Sequence, residues 1–137
     1  MNFLLDNNLP PALASGLDAL CQGNNNAVRV IHLKSKFPQD TADHVWIRTL
    51  ADEGNWAIVS QDGFRKNDLE REAIRRCGLP VFVLSKQWSG RKYWDKAQNL
   101  VRWWPAIEDY TQRVQGGAAV RVPWRFGTVG RFEQIRL

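Results

Sequence analysis

Short apolar runs separated by longer amphipathic stretches organise most of the chain. Asn2–Leu5 reads as a brief buried strand that ends on Asp6. Asn8 is expected to cap a helix whose first position is Pro10, since a proline there forfeits no needed N–H. Leu9, Leu13, Leu17 and Leu20 recur at helical spacing and carry that helix to about Gln22, before a turn at Gly23–Asn26. Val28–Leu33 is the next strand, and Lys34–Gln39 a loop. Asp40 is expected to cap a helix over Thr41–Glu53, which Gly54 and Asn55 stop. Trp56–Ser60 is a third buried strand, running into Gln61-Asp62-Gly63. Asn67-Asp68-Leu69-Glu70 has the form of a capping box and opens a helix to Cys77, with Gly78 beyond its end. Val81–Leu84 is the fourth strand.

A further helix is expected from Ser89 or Gly90, with Trp94, Ala97, Leu100, Val101 and Trp104 on one side. Pro105 should interrupt it, leaving a second helical piece to Gln115. The tail changes period. From Ala118 to Phe126 apolar residues alternate with others, which predicts a strand with one buried face. Pro123 assigns that strand to a sheet edge, Gly127-Thr128 can turn, and Gly130–Ile135 is a weaker partner strand. Arg121, Arg125 and Arg131 would face solvent. Strands alternating with helices predict an α/β fold: three α/β/α layers around a mainly parallel central sheet over residues 1–115. Residues 116–137 would add a C-terminal β-hairpin extension packed on the same domain. Sites in such sheets form beyond the carboxyl ends of the strands, near a topological switch point. Asp6 and Asp62 both follow a strand, so both belong on that edge.

Composition narrows the class. The 137 residues fit one domain, and 44% hydrophobic residues argue against disorder. Cys21 and Cys77 lie far apart with no CxxC, which argues against a disulfide scaffold or a zinc site and fits a reducing, cytoplasmic setting. The apolar run at the N-terminus is too short for a signal peptide and lacks a basic lead-in; no stretch reaches the roughly 20 apolar residues of a membrane span. Charge is unevenly distributed. Residues 1–64 hold four Lys/Arg against seven Asp/Glu, whereas residues 65–102 hold ten against four. An acidic half beside a basic half predicts a polyanion held next to a carboxylate site, although a basic run is also what a solvated helix face looks like.

Three acids stand at chemically meaningful places: Asp6 after the first strand, Asp43 in the first turn of the second long helix, Asp62 after the third strand. Carboxylates converging on one spot repel one another unless a cation neutralises them. Oxygen ligands without His or Cys suit Mg²⁺ or Mn²⁺. Each acid also has a structural reading. Asp6 can begin an Asx turn, Asp43 can favour a helix dipole, and Asp62-Gly63 is a common turn pair. His32 reads as a core histidine, and His44 has no positioned nucleophile beside it. No GxxxxGK[ST] or GxGxxG occurs, and Asp6-Asn7-Asn8 departs from the DxD of aspartyl-phosphate enzymes. Most of the seven Trp residues read as core; Trp88, Trp103 and Trp124 flank basic residues and could stack on bases.

LLDNNLPPALASGL, then DHVWIRTLADEG beginning at Asp43, then WAIVSQDGF, resemble the PIN-like nucleases that open with D-[EN]-N-L-P, in particular toxin-type members of the VapC kind. SQDGFRKNDLEREAIRRCGLPVFVL extends the resemblance, which covers about residues 2–104. It implies a PIN fold and Mg²⁺- or Mn²⁺-dependent hydrolysis of RNA by water activated in an acidic cluster. Asp6, Asp43 and Asp62 would bind the metal, and Ser60 takes the hydroxyl position two residues before the third acid. Asp40, Asn7, Asn67 and Asp68 are weaker site candidates; Arg65, Lys66, Arg91 and Lys92 are candidates for binding RNA. The basic segment could equally receive an acidic antitoxin, and a homodimer is a further expected partner. Two departures matter. Asp43 stands where many PIN enzymes carry Glu, and Gly63-Phe64 stands where related sequences often carry a further acid. A set one carboxylate short would instead describe a catalytically inactive RNA- or protein-binding module.

Overall fold

The computed structural model describes residues 1–25, 27–114, 116–127 and 131–136. The turn residue Asn26, the helix end at Gln115, and the expected turn and strand start at Thr128 and Gly130 lie outside them. The element order is β1 (Asn2–Leu5), α1 (Pro11–Asn24), β2 (Arg29–His32), α2 (Leu33–Lys36), α3 (Asp43–Glu53) and β3 (Trp56–Ser60). It continues with α4 (Asp68–Arg76), β4 (Val81–Leu84), α5 (Tyr93–Arg113), β5 (Ala119–Val122) and β6 (Glu133–Gln134). One sheet runs β2-β1-β3-β4-β5-β6, parallel through β5, with β6 antiparallel to β5.

The central strands are apolar throughout because both faces of the sheet are covered. Alternate residues feed two cores. Phe3, Leu5, Ala57, Val59, Phe82 and Leu84 pack with α1 and α5. Leu4, Ile58, Val81 and Val83 pack with Trp46, Ile47 and Leu50 of α3 and Ile74 of α4. The chain leaves β1 towards β2 on one side and returns to add β3 on the other, so the switch point lies between β1 and β3.

Several local expectations change. Asn8 does not cap α1: Pro10 holds the N-cap position without a side-chain bond, and Asn8 Oδ1 instead accepts from Gln61 N at 3.2 Å, joining the exits of β1 and β3. Asp40 does not cap α3 either; it is exposed, and the helix begins later, at Asp43 behind Ala42. Leu33 leaves the strand for α2 because His32 Nδ1 accepts from Lys34 N, starting a helical turn where a loop was expected. His32 is otherwise the core residue its pattern implied, with Nε2 2.7 Å from Leu9 O. Leu20 is exposed, outside the buried stripe of α1.

Helix α5 starts late and does not break. A 3-10 turn, Lys86–Trp88, first seats Trp88, whose indole N–H donates to Val122 O at 2.9 Å. The helix then runs continuously through Pro105, held by the buried stripe Leu100, Trp103, Trp104, Ile107 and Thr111. Trp94 lies outside that stripe and is 74% exposed. Strands β5 and β6 pair antiparallel, and β5 also pairs in parallel with β4, which places it inside the sheet; Pro123 falls just beyond its last residue rather than on an edge strand. The approach of β5 leaves no room for a side chain at Gly117, where a Cβ would lie 2.9 Å from the backbone of Gly78. No helix among the described residues is long and apolar enough to cross a membrane.

Candidate metal centre

Four carboxylates meet at the carboxyl edge of β1 and β3. Asp6 leaves β1 into a turn closed by Leu9 N donating to Asp6 O at 3.0 Å. Its carboxylate is nearly fully buried and locked at both oxygens. Asn7 N donates to Oδ1 at 2.6 Å, and the Ser60 hydroxyl donates to Oδ2 at 2.7 Å. Ser60, fully buried, also accepts from Asp62 N at 2.8 Å. One hydroxyl thus fixes the first acid against the backbone of the third.

Asp62 is set by the loop it begins. Its Oδ1 accepts from Phe64 N at 2.9 Å, forming an Asx turn. Phe64 adopts φ 56 and is fully buried, edge-on to Trp46 at 6.1 Å. A bulky residue held in the left-handed region is strained, and burying its ring supplies the compensation. Trp46 in turn donates its indole N–H to Asp43 Oδ1 at 2.9 Å. Asp43 is the first residue of α3, and Glu70 lies in the first turn of α4, where helix dipoles favour negative charge. Asn67 caps α4 by accepting from Glu70 N at 2.8 Å and so aims the first turn.

Asp43, Asp62 and Glu70 each present a carboxylate oxygen within 4.8 Å of the others. Two oxygens bound at about 2.1 Å to one small cation lie at most about 4.2 Å apart, so modest side-chain rotation would close the set. Asp6 stands just outside this group, joined to it electrostatically and through Ser60. Burial first, then Asp43 and Asp62, push the Glu70 carboxyl up to about 7. Its Oε1 is buried and has no hydrogen-bond partner. Burial likewise raises Asp6, opposed by the Ser60 and Asn7 bonds and reinforced by Asp43 and Asp62. Lys66 reaches Asp62 Oδ2 at 3.6 Å, and that carboxylate raises the lysine pKa. Crowded acids, an orphaned buried oxygen and no nitrogen or sulfur ligand fit a hard divalent cation.

The expected triad Asp6, Asp43, Asp62 is therefore placed as two members of the tight group and one neighbour. Glu70, which sequence reasoning treated only as a capping-box acid, is the third member. A signal was present: Glu70, Ile74 and Cys77 follow i, i+4, i+7, which puts an acid on the inward stripe of α4 while Leu69 points outward, 63% exposed. Asp68, one of the weaker site candidates, has a fully exposed side chain 3.9 Å from Arg71. Asp40 is exposed before α3 and stands outside the carboxylate group. Asn7 contributes its backbone N–H, and Asn67 its cap. Arg65 and Lys66 belong to the loop after Asp62. Arg91 lies over the ring of Trp124 at 4.4 Å, on the α5 side of the sheet, and exposed Lys92 precedes α5. Trp88 and Trp103 are fully buried and cannot stack on bases; Trp124 is half-buried, edge-on to Trp88.

Sheet and cluster together define a mainly parallel α/β domain with an acidic centre at its switch point. More particularly, the chain belongs to the PIN-like domain family: the family model described as PIN like domain matches residues 1–86, which span β1 to β4 and all four carboxylates. PIN-like domains are generally nucleases and typically use divalent metals. No curated protein and no solved structure gives a match.

Proposed function

We propose that this chain is a metal-dependent endoribonuclease, the toxin component of a toxin–antitoxin pair. The observation that carries the reading is the convergence of Asp43, Asp62 and Glu70 beside buried Asp6 within a PIN-like domain. The toxin role rests on the likeness of LLDNNLPP to the VapC-type opening. An antitoxin partner is part of the same proposal.

Asp43, Asp62 and Glu70 would hold Mg²⁺ or Mn²⁺, with Asp6 adding negative field. Such an ion, when bound, neutralises phosphate charge and acidifies coordinated water. The residues themselves do the positioning. Ser60 holds Asp6 Oδ2 and Asp62 N in one frame, and the Trp46 indole fixes Asp43 Oδ1. Glu70 can carry a proton near neutral pH until a cation displaces it. Lys66, largely exposed, shields Asp62 and would offer an incoming phosphate a cation beside the acids. Hydrolysis would leave a 3′-hydroxyl and a 5′-phosphate.

Reading the chain as an inactive binding module depends on the acidic set being one carboxylate short. Glu70 supplies a fourth carboxylate, which favours catalysis. The test is cleavage of single-stranded RNA with Mn²⁺ or Mg²⁺. Asp62→Asn and EDTA should each abolish product; cleavage surviving both would overturn the proposal.

A further inference from the structure

Two of the clustered acids ride on helices, whereas Asp62 rides on a loop. Asp43 opens α3 and Glu70 lies in the first turn of α4, so helical backbone fixes both. Asp62 comes after the last residue of β3, and two residues further on Phe64 stands at φ 56. Strained backbone of that kind persists only where its surroundings over-determine it. The far end of the loop is held by the buried Phe64 ring against Trp46. The near end needs an anchor of its own, and the strand ladder does not supply it, because the register of β3 with β4 stops at the Ser60–Val83 pair.

Gln61 fills that place. Its side chain reaches towards β4, where Nε2 donates to Leu84 O and to Ser85 O, both at 3.0 Å. Only the amide NH₂ can face two carbonyl oxygens, so the side chain has one orientation there. The Gln61 backbone N–H donates the other way, to Asn8 Oδ1 at 3.2 Å, beyond the end of β1. One residue thus adds a rung past the end of the ladder, bonded towards both neighbouring strands. The β4 end of the rung is itself held: Ser85 N donates to Val122 O at 3.0 Å, and the Trp88 indole N–H donates to the same oxygen. Val122 ends β5, so the C-terminal strand shares in fixing the loop.

We infer that Gln61 is a positioning residue for the metal centre: by clamping the backbone one residue before Asp62, it keeps that carboxylate within reach of Asp43 and Glu70. The margin is narrow. The three carboxylate oxygens lie within 4.8 Å of one another, against at most about 4.2 Å for a pair sharing one small cation. Ligand constellations tolerate errors of about 0.5 Å, so a loop released at this end would lose ligation before it lost its fold. Gln61 acts through Asp62 and is not itself a ligand. The inference rests on the metal-dependent reading above.

The test compares wild type with Gln61→Met, which keeps the length of the side chain and removes its donors. Gln22→Met, on the exposed side of α1, is the control. In EDTA the amide protons of Asp62 and Phe64, which donate to Ser60 Oγ and Asp62 Oδ1, should exchange about 2- to 10-fold faster in Gln61→Met, one hydrogen bond's worth. The amide of buried Leu50 in α3 should keep its rate. Mn²⁺ titrations followed by electron paramagnetic resonance should show affinity about 10-fold lower. With RNA, kcat should fall by a similar factor while KM stays unchanged. Asn8→Ala, at an exposed side chain, should move the same two amides in the same direction by less, and it serves should Gln61→Met fail to fold. Gln22→Met should change none of these. Faster exchange throughout the chain with wild-type Mn²⁺ affinity in the folded protein would make Gln61 merely structural and overturn the inference, as would unaltered exchange at Asp62 and Phe64. Neither exchange nor titration uses RNA, so the two readings fail separately. RNA cleavage with wild-type Mn²⁺ affinity in Gln61→Met sinks only the positioning role, and weakened Mn²⁺ binding without RNA cleavage by wild type sinks only the nuclease.

Discussion

Glu70 decides how the site behaves because it combines burial with two negative neighbours. Its folded pKa, about 7, exceeds its ordinary 4.5. Below 4.5 both folded and unfolded chains keep this proton. Between 4.5 and 7 the unfolded chain sheds it first, so in EDTA stability falls as pH rises through that window. The slope should correspond to about one proton, and Glu70→Gln should flatten it in melts taken across the window. The Asp6 shift has the same direction and so the same sign. Added Mn²⁺ should reverse the trend, because ligands must be ionised to bind. In cleavage assays Glu70→Gln should lose about 10²-fold or more in kcat, since removing a cation ligand forfeits several kcal/mol of transition-state stabilisation. Asp68→Asn, with its fully exposed carboxylate, should cleave like wild type; equal losses in both variants would refute the assignment of Glu70.

At the scale of elements, two helix starts aim the cluster. The Asn67 cap fixes the first turn of α4, so Asn67→Ala should destabilise the fold by about 1 kcal/mol and weaken activity beyond that, because Glu70 is the residue whose N–H it binds. Both effects can be read from denaturant midpoints and from kcat at a temperature where the variant is fully folded. The other joint is Gly117. A methyl there would meet the Gly78 backbone at 2.9 Å, so Gly117→Ala should cost about 1–3 kcal/mol through misplacement of β5. Strands and most helices were legible because their signals are local. Period, apolar runs and stop glycines are all present in the chain, and Gly54 and Gly78 do take positive φ after α3 and α4. Caps were less legible. Asn8 and Asp40 have the right chemistry, but where their side chains bond depends on β3 and on where α3 begins. The tail illustrates the same limit: its period-two pattern marks a strand, while pairing with β4 is a long-range fact.

For the whole molecule, the site joins residues 6, 43, 62 and 70 through a sheet order that no local pattern states. Asp6 and Asp62 were legible as edge residues because a parallel sheet places ligands there. Glu70 was masked by the capping-box reading, of which the structure shows only the Asn67 half: Asn67 Oδ1 accepts from Glu70 N, while the Glu70 carboxylate turns to Asp43 and Asp62. The proposed sharing of one cation by Asp43, Asp62 and Glu70 makes a global prediction. A cation bound only by the folded chain stabilises it by RT ln(1 + [L]/Kd), about 2.7 kcal/mol at a hundredfold excess over Kd. For a domain of this size that corresponds to a rise in melting temperature of roughly 10 °C. Scanning calorimetry at pH 7.5 with saturating Mn²⁺ should show it in wild type. Asp62→Asn and Glu70→Gln should each remove most of the shift by taking away one of the three proposed ligands, whereas Asp40→Asn should keep it. Loss of the shift in Asp40→Asn, or its persistence in both ligand variants, would place the ion elsewhere in the fold.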